Sequence, residues 1–134
     1  MIIFDEQLQN PALITAVKQW YPGTVTHIRT LRANSVIKDD NIPALLHVAP
    51  RPTFVTINVN DFGRKIQAHP GYCVIAIDLA QGSSLEIPII LRQVINHVAF
   101  KSRMLRMGKV IYVRRNLVYY YAQDGQIRQV DSPS

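Results

Sequence analysis

The sequence predicts an α/β fold of three layers, α/β/α: helices cover a central, mainly parallel sheet, and an antiparallel β-hairpin is appended near the carboxyl end. Three observations carry this expectation. Segments of strand and helix character alternate as strand, helix, strand, helix, strand, strand, helix. The run GYCVIAIDLA at 71–80 is apolar almost throughout, as strands covered on both faces are. Residues 101–134 then change rhythm to three β-rich runs, GKVIYVRR, NLVYYYA and QIRQV. At 134 residues the chain suits one domain with its own core. We read 1–100 as the α/β core and 101–134 as a basic, β-rich extension.

MIIF is a short apolar strand that stops at Asp5 and Glu6. Asn10 is an N-cap followed by Pro11, which suits a first helical turn. Leu13, Ile14, Val17, Trp20 and Tyr21 then mark one apolar helix face, ended by Pro22-Gly23. VTHI at 25–28 is the second strand, and a basic connection, RTLRANSVIK, leads to Asp39-Asp40, which cap a short helix through Ala44, Leu45, Leu46 and Val48. PRP at 50–52 closes that helix.

TFVTINV is the third strand and GYCVIAIDLA the fourth, followed by a QGSS loop. Leu91, Val94, Ile95 and Val98 mark a third helix that starts near Pro88, because proline is tolerated only close to a helix start. In the carboxyl-terminal part, Asp124-Gly125 is the signal for a type I′ hairpin turn.

Hydrophobic residues make up 48% and charged residues 18%, so the core needs no metal or disulfide staple. The net charge of +6 and a pI of about 9.8 favour polyanionic partners such as nucleic acid. Cys73 is the only cysteine, which excludes an internal disulfide, fits a reducing cytosol, and in its apolar context reads as a small buried hydrophobe. MIIFDEQLQ lacks the basic region of a secretion signal, and no apolar run approaches the length of a membrane span; the expectation is a cytoplasmic protein with no membrane contact.

The polar group at the end of the third strand, Asn58, Asn60 and Asp61, raises a question of purpose, since ligands in open α/β sheets sit at the carboxyl ends of strands. Asp5 and Glu6 leave the first strand at that end. In parallel α/β units helices start where strands finish, so Asp39 and Asp40 open on the same side. Three acidic segments thus converge on one rim. Carboxylates crowded together repel, and a hard divalent cation, Mg²⁺ or Mn²⁺, offsets that repulsion through oxygen ligands. Such an ion inside a basic protein is what a metal-dependent nuclease requires.

FDEQL after the first strand, DDNI at a helix start, and a strand running T-x-N into NDFG together resemble the PIN-like (PilT amino-terminal-like) ribonuclease superfamily. The likeness is to its small stand-alone bacterial branch and spans about residues 1–115, including the helix EIPIILRQVI and the RMGKVI segment. The resemblance implies a PIN-like fold and an RNA-cleaving activity with Mg²⁺ or Mn²⁺ as cofactor. It also implies the toxin role in a toxin–antitoxin pair, with RNA as substrate and a small antitoxin protein as partner; a homodimer is compatible with it. By the same resemblance Asp5 matches the first-strand metal ligand, Asp39 the helix carboxylate with Asp40 as the alternative one position on, and Asp61 the aspartate before Phe62. Asn58 stands where the family usually has an aspartate, and one extra residue, Val59 or Asn60, separates it from Asp61. An amide oxygen ligates a metal without bringing charge, so this departure lowers affinity for the ion. It also opens a second reading, a catalytically silent PIN-like scaffold that binds RNA or a protein.

Each residue also has a plainer reading. Asp39-Asp40 serve equally as N-caps, and NDFG as a turn, the reading preferred for Asn60. Glu6 reads as solvent-facing or supporting, and Asp78 as structurally paired. Arg29, Arg32, Arg64 and Lys65 flank the rim, and Arg64 and Lys65 are the preferred phosphate contacts because they follow the acidic strand end directly. Lys101, Arg103, Arg106, Lys109, Arg114 and Arg115 form a basic stretch whose default is a solvated face, with a phosphate-binding surface close behind because of its density. Tyr119, Tyr120 and Tyr121 invite base stacking, but alternation along a strand turns at least one of them into the core. His27, His47, His69 and His97 lack zinc spacing and are read as structural.

Overall fold

Ile2, Ile3 and Phe4 form β1 (Ile2–Phe4), and all three side chains are fully buried because β1 lies inside the sheet rather than at its edge. The computed structural model describes residues 1–8, 10–31, 51–59, 67–79, 84–114 and 117–130. After β1 come α1 (Pro11–Lys18), β2 (Val25–His27), α2 (Ile28–Leu31), β3 (Thr53–Thr56) and β4 (Cys73–Asp78). A 3₁₀ turn (Ser84–Glu86) then leads into α3 (Ile87–Asn96), followed by α4 (Arg103–Arg106), β5 (Val110–Arg114), β6 (Leu117–Tyr121) and β7 (Arg128–Val130). The helix expected from Asp39 through Val48 lies outside the described residues.

The seven strands make one mixed sheet in the order β2-β1-β3-β4-β5-β6-β7. The first five run parallel, and β6 and β7 join antiparallel beyond β5. From β1 the chain steps to one side to build β2, then returns past β1 to lay β3 on the other side, so the winding direction reverses between β1 and β3.

Alternate residues face opposite sides of the sheet. One face carries Phe4, Val55, Ile75 and Ile111, which pack with Leu13 and Val17 of α1, Leu91, Val94 and Ile95 of α3, and Phe100. The other face carries Ile3, Phe54, Val74, Val110 and Tyr121, with Ile28 and Tyr72 packed against them. Each fully buried aliphatic or aromatic side chain contributes roughly 1.5–3 kcal/mol.

Local chemistry sets the boundaries. Asn10 Oδ1 accepts from the Ala12 amide at 3.0 Å with Pro11 in the first turn, as the sequence suggests. α1 ends at Lys18, before Trp20 and Tyr21, whose amides turn back to the Val17 carbonyl. β3 stops at Thr56, three residues short of the expected strand, because the Asn58 amide donates to Thr56 Oγ1 at 3.0 Å and bends the backbone out of the ladder. α3 stops at Asn96, and Val98, expected on its apolar face, is 73% exposed. The cause is His97, whose backbone is extended and whose Nδ1 accepts from the Ala99 amide at 3.0 Å.

The short helices α2 and α4 are not legible in the sequence as helices; Ser102 caps α4 by accepting from the Leu105 amide at 3.2 Å. Between β6 and β7 the Gly125 amide donates to the Ala122 carbonyl at 3.0 Å, and Gly125 alone of the Asp124-Gly125 pair has a positive φ, of 74°. A type I′ turn needs positive φ at both central residues, so that expectation is corrected: the strands are joined by a wider loop. Among the described residues no helix is long and apolar enough to cross a membrane.

Candidate functional site

The winding reverses between β1 and β3, and the space beyond the carboxyl ends of such strands is where open α/β sheets bind ligands. Asp5 stands at that end of β1. It follows β1 directly, its amide continues the ladder to the Val55 carbonyl at 2.9 Å, and its carbonyl accepts from the Leu8 amide at 2.9 Å. The residue is 6% exposed, which demands compensation for a carboxylate. Oδ2 accepts from the Thr56 hydroxyl at 2.7 Å, and Oδ1 from the Glu6 amide at 2.7 Å. Short bonds to a charged acceptor are about twice as strong as neutral ones, and these two fix the carboxylate in place.

Thr56 Oγ1 in turn accepts from the Asn58 amide, so Asn58, Thr56 and Asp5 form one hydrogen-bonded relay across β3 and β1. Two of the residues singled out from the sequence are thereby linked, Asp5 through its carboxylate and Asn58 through its backbone amide. Thr56 is the member that sequence reading missed, because a threonine in a β-branched run reads as sheet interior. Its position two residues before Asn58 is the signal that would have marked it.

Asp39, Asp40 and Asp61, together with Arg32, Arg64 and Lys65, lie outside the described residues. Among the described residues no three His, Cys, Asp or Glu side chains gather to hold a metal. Arg29, an expected RNA contact, is exposed in the first turn of α2, with Nε 3.4 Å from Glu6 Oε1. Such a surface pair is weak and leaves the guanidinium available to a stronger anion.

Farther along the same rim Asp78 ends β4. Its Oδ2 accepts from the Tyr112 hydroxyl at 3.1 Å and lies 3.7 Å from Arg114 Nε, which agrees with the structural pairing expected for it. Burial pushes the Tyr112 phenol above its ordinary value, and the hydrogen bond and negative charge of Asp78 push it further.

The basic stretch does not form one solvated face. Arg106 is buried and donates from Nη1 to the Phe100 carbonyl at 2.9 Å, while Lys109 Nζ lies over the rings of Phe100 and Tyr120 at 5.3 and 5.0 Å. Lys101 and Arg103 are exposed, and Arg115 lies outside the described residues. Among the tyrosines, Tyr121 is core, and Tyr119 and Tyr120 are half-buried on opposite faces, as strand alternation requires.

His27, His69 and His97 all serve the backbone in the same way, with Nδ1 of each accepting from the amide two residues on, in Arg29, Gly71 and Ala99. Cys73 is fully buried, and burial pushes its thiol up to about 12. A separate open cleft of about 680 Å³ lies between α1 and α3, bordered by Trp20, Pro88, Ile89, Arg92 and Val98; it is on the helical side, away from Asp5. No protein family, curated protein or solved structure matches the chain.

Proposed function

We propose that the chain is a cytoplasmic, metal-dependent endoribonuclease of the PIN-like kind, a three-layer α/β/α domain whose site lies beyond the carboxyl ends of β1 and β3. The observation that carries this reading is the buried Asp5 carboxylate at the sheet's reversal point, joined through Thr56 to Asn58. An ionised carboxylate accepts at several lone-pair sites, so hydrogen-bond donors and a hard cation can share it, and supporting bonds of this sort orient metal ligands. The oxygen chemistry of Asp5 and Asn58 therefore fits Mg²⁺ or Mn²⁺, with Asp61 and Asp39 or Asp40 as the remaining ligands on the strength of the sequence resemblance. When bound, the ion supplies a water of lowered pKa and neutralises charge on the phosphodiester. Thr56 holds Asp5 in one orientation, and Arg29, Arg32, Arg64 and Lys65 steady the RNA backbone. The toxin role, with a small antitoxin protein as partner, belongs to the same reading.

Purified protein incubated with mixed RNA should cleave it in Mn²⁺ and stop in EDTA, and Asp5→Asn should abolish cleavage. Cleavage that survives EDTA or the substitution overturns the proposal.

The neutral amide of Asn58 favours a second reading, a PIN-like scaffold that binds RNA or protein without cutting. Calorimetric titration with Mn²⁺ separates the two: heat of binding lost in Asp5→Asn supports the nuclease, and no heat with RNA still bound supports the scaffold.

A further inference from the structure

Strand register places Thr56, Ala76, Tyr112, Tyr119 and Gln129 side by side in one row across β3, β4, β5, β6 and β7. Residues paired in register share a face, and the bond from Thr56 to Asp5 puts the Asp5 carboxylate at the head of that row. With strands about 4.8 Å apart, Tyr112 stands roughly 10 Å and Tyr119 roughly 14 Å from Thr56. The row below it on the same face, Phe54, Val74, Val110 and Tyr121, is closed core. The aromatic pair is different: both rings are half-buried, with centroids 6.3 Å apart and planes tilted by 37°. Beside them the Arg114 side chain is 55% exposed and carries the only cation this part of the row shows among the described residues.

We propose that Tyr112 and Tyr119 form a stacking platform for a base of single-stranded RNA, with Arg114 contacting the adjoining phosphate. This rests on the ribonuclease reading and deepens it, by naming where substrate is held outside the cleavage site. Three features suit the site to this role. The Tyr112 hydroxyl is anchored on Asp78, and its ring leans on Tyr119 across the strands, so little freedom is lost when a base arrives. Every base offers a π-face, so a ring platform accepts RNA without demanding a sequence. A guanidinium beside it supplies the phosphate contact and a cation–π contribution. The net charge of +6 draws the polyanion toward the protein.

The experiment is fluorescence anisotropy in EDTA, which prevents cleavage, with a labelled single-stranded RNA of about ten nucleotides. Tyr119→Leu should weaken binding about tenfold, the loss of one stacked base, whereas Tyr119→Phe should bind like the parent. Arg114→Gln should weaken binding and lower the slope of log affinity against log salt by about one. Circular dichroism of each variant checks that the sheet is intact, and Tyr119→Thr, which suits a strand, serves where Tyr119→Leu fails to fold: it should weaken binding to the same degree. Equal affinity of either folded variant and the parent sinks the platform and leaves the ribonuclease reading standing. Absence of both RNA binding and Mn²⁺-dependent cleavage in the parent sinks both.

Discussion

The Thr56 hydroxyl donates to Asp5 Oδ2 at 2.7 Å, joining side chains 51 positions apart on adjacent parallel strands. Removing the hydroxyl at nearly constant shape measures the relay as a whole, because the same oxygen accepts from the Asn58 amide. Thr56→Val should lower the free energy of unfolding by about 1–3 kcal/mol, because the buried Asp5 carboxylate loses the hydroxyl and the Asn58 amide loses that acceptor, and Thr56→Ser should cost far less. Urea denaturation reads the difference. A loss for serine with little or none for valine would assign the effect to the threonine methyl group, which valine keeps, and not to the hydroxyl.

Cys73 should be chemically silent in the folded protein. Its thiol is fully buried and pushed up to about 12 mainly by burial, with Arg106, Lys109 and a hydrogen bond from Thr53 pulling the other way. A thiol-specific reagent at pH 8 should react only as fast as the protein opens, and at once in denaturant. The folded value lies above the unfolded one, so the stability linked to this group is complete below about pH 9 and declines as pH rises toward 12. Rapid stoichiometric labelling without denaturant would contradict the burial.

Tyr112 should ionise later than an ordinary tyrosine. Burial raises its phenol first, the hydrogen bond to Asp78 next, and the Asp78 charge adds to both. An ultraviolet titration should show such a late phenol, and Asp78→Asn should bring it back part of the way, since burial remains. Its folded value is raised, so the stability linked to it holds below the ordinary tyrosine range and is lost above it. An unchanged titration in Asp78→Asn would remove the carboxylate from the explanation.

Phe100 is the keystone of the α3–α4 connection. It is fully buried, meets Tyr120 edge to face at 5.7 Å, lies under Lys109, and its carbonyl receives Arg106. Phe100→Ala should cost about 3–5 kcal/mol, the range for emptying a packed aromatic site. Thermal unfolding measures it, and a loss under about 1 kcal/mol would mean that the neighbours collapse into the space.

The parallel order of the sheet can be seen in the sequence because buried strands such as CVIAI have a composition no exposed segment shares. Asp5 can be seen as well, since a carboxylate directly after MIIF has nowhere to go but the strand end. What cannot be seen is the geometry of neighbours. Thr56 looks like any strand threonine until β1 is laid beside β3, and Tyr112 looks like sheet filling until Asp78 takes its hydroxyl. The ends of β3 and α3 escape the sequence for a related reason: Thr56 and His97 bond locally to the backbone, and a side chain that competes with the ladder leaves the hydrophobic pattern unchanged.

During synthesis, β1, α1 and β2 leave the ribosome before Thr53, so β1 lacks its neighbour on one side until β3 is made. The amide of Asp5 has no ladder partner until Val55 arrives, and closing that span costs chain entropy before any contact repays it. A fragment stopping before β3 therefore carries the Asp5 carboxyl but neither the Val55 carbonyl nor the Thr56 hydroxyl that fix it.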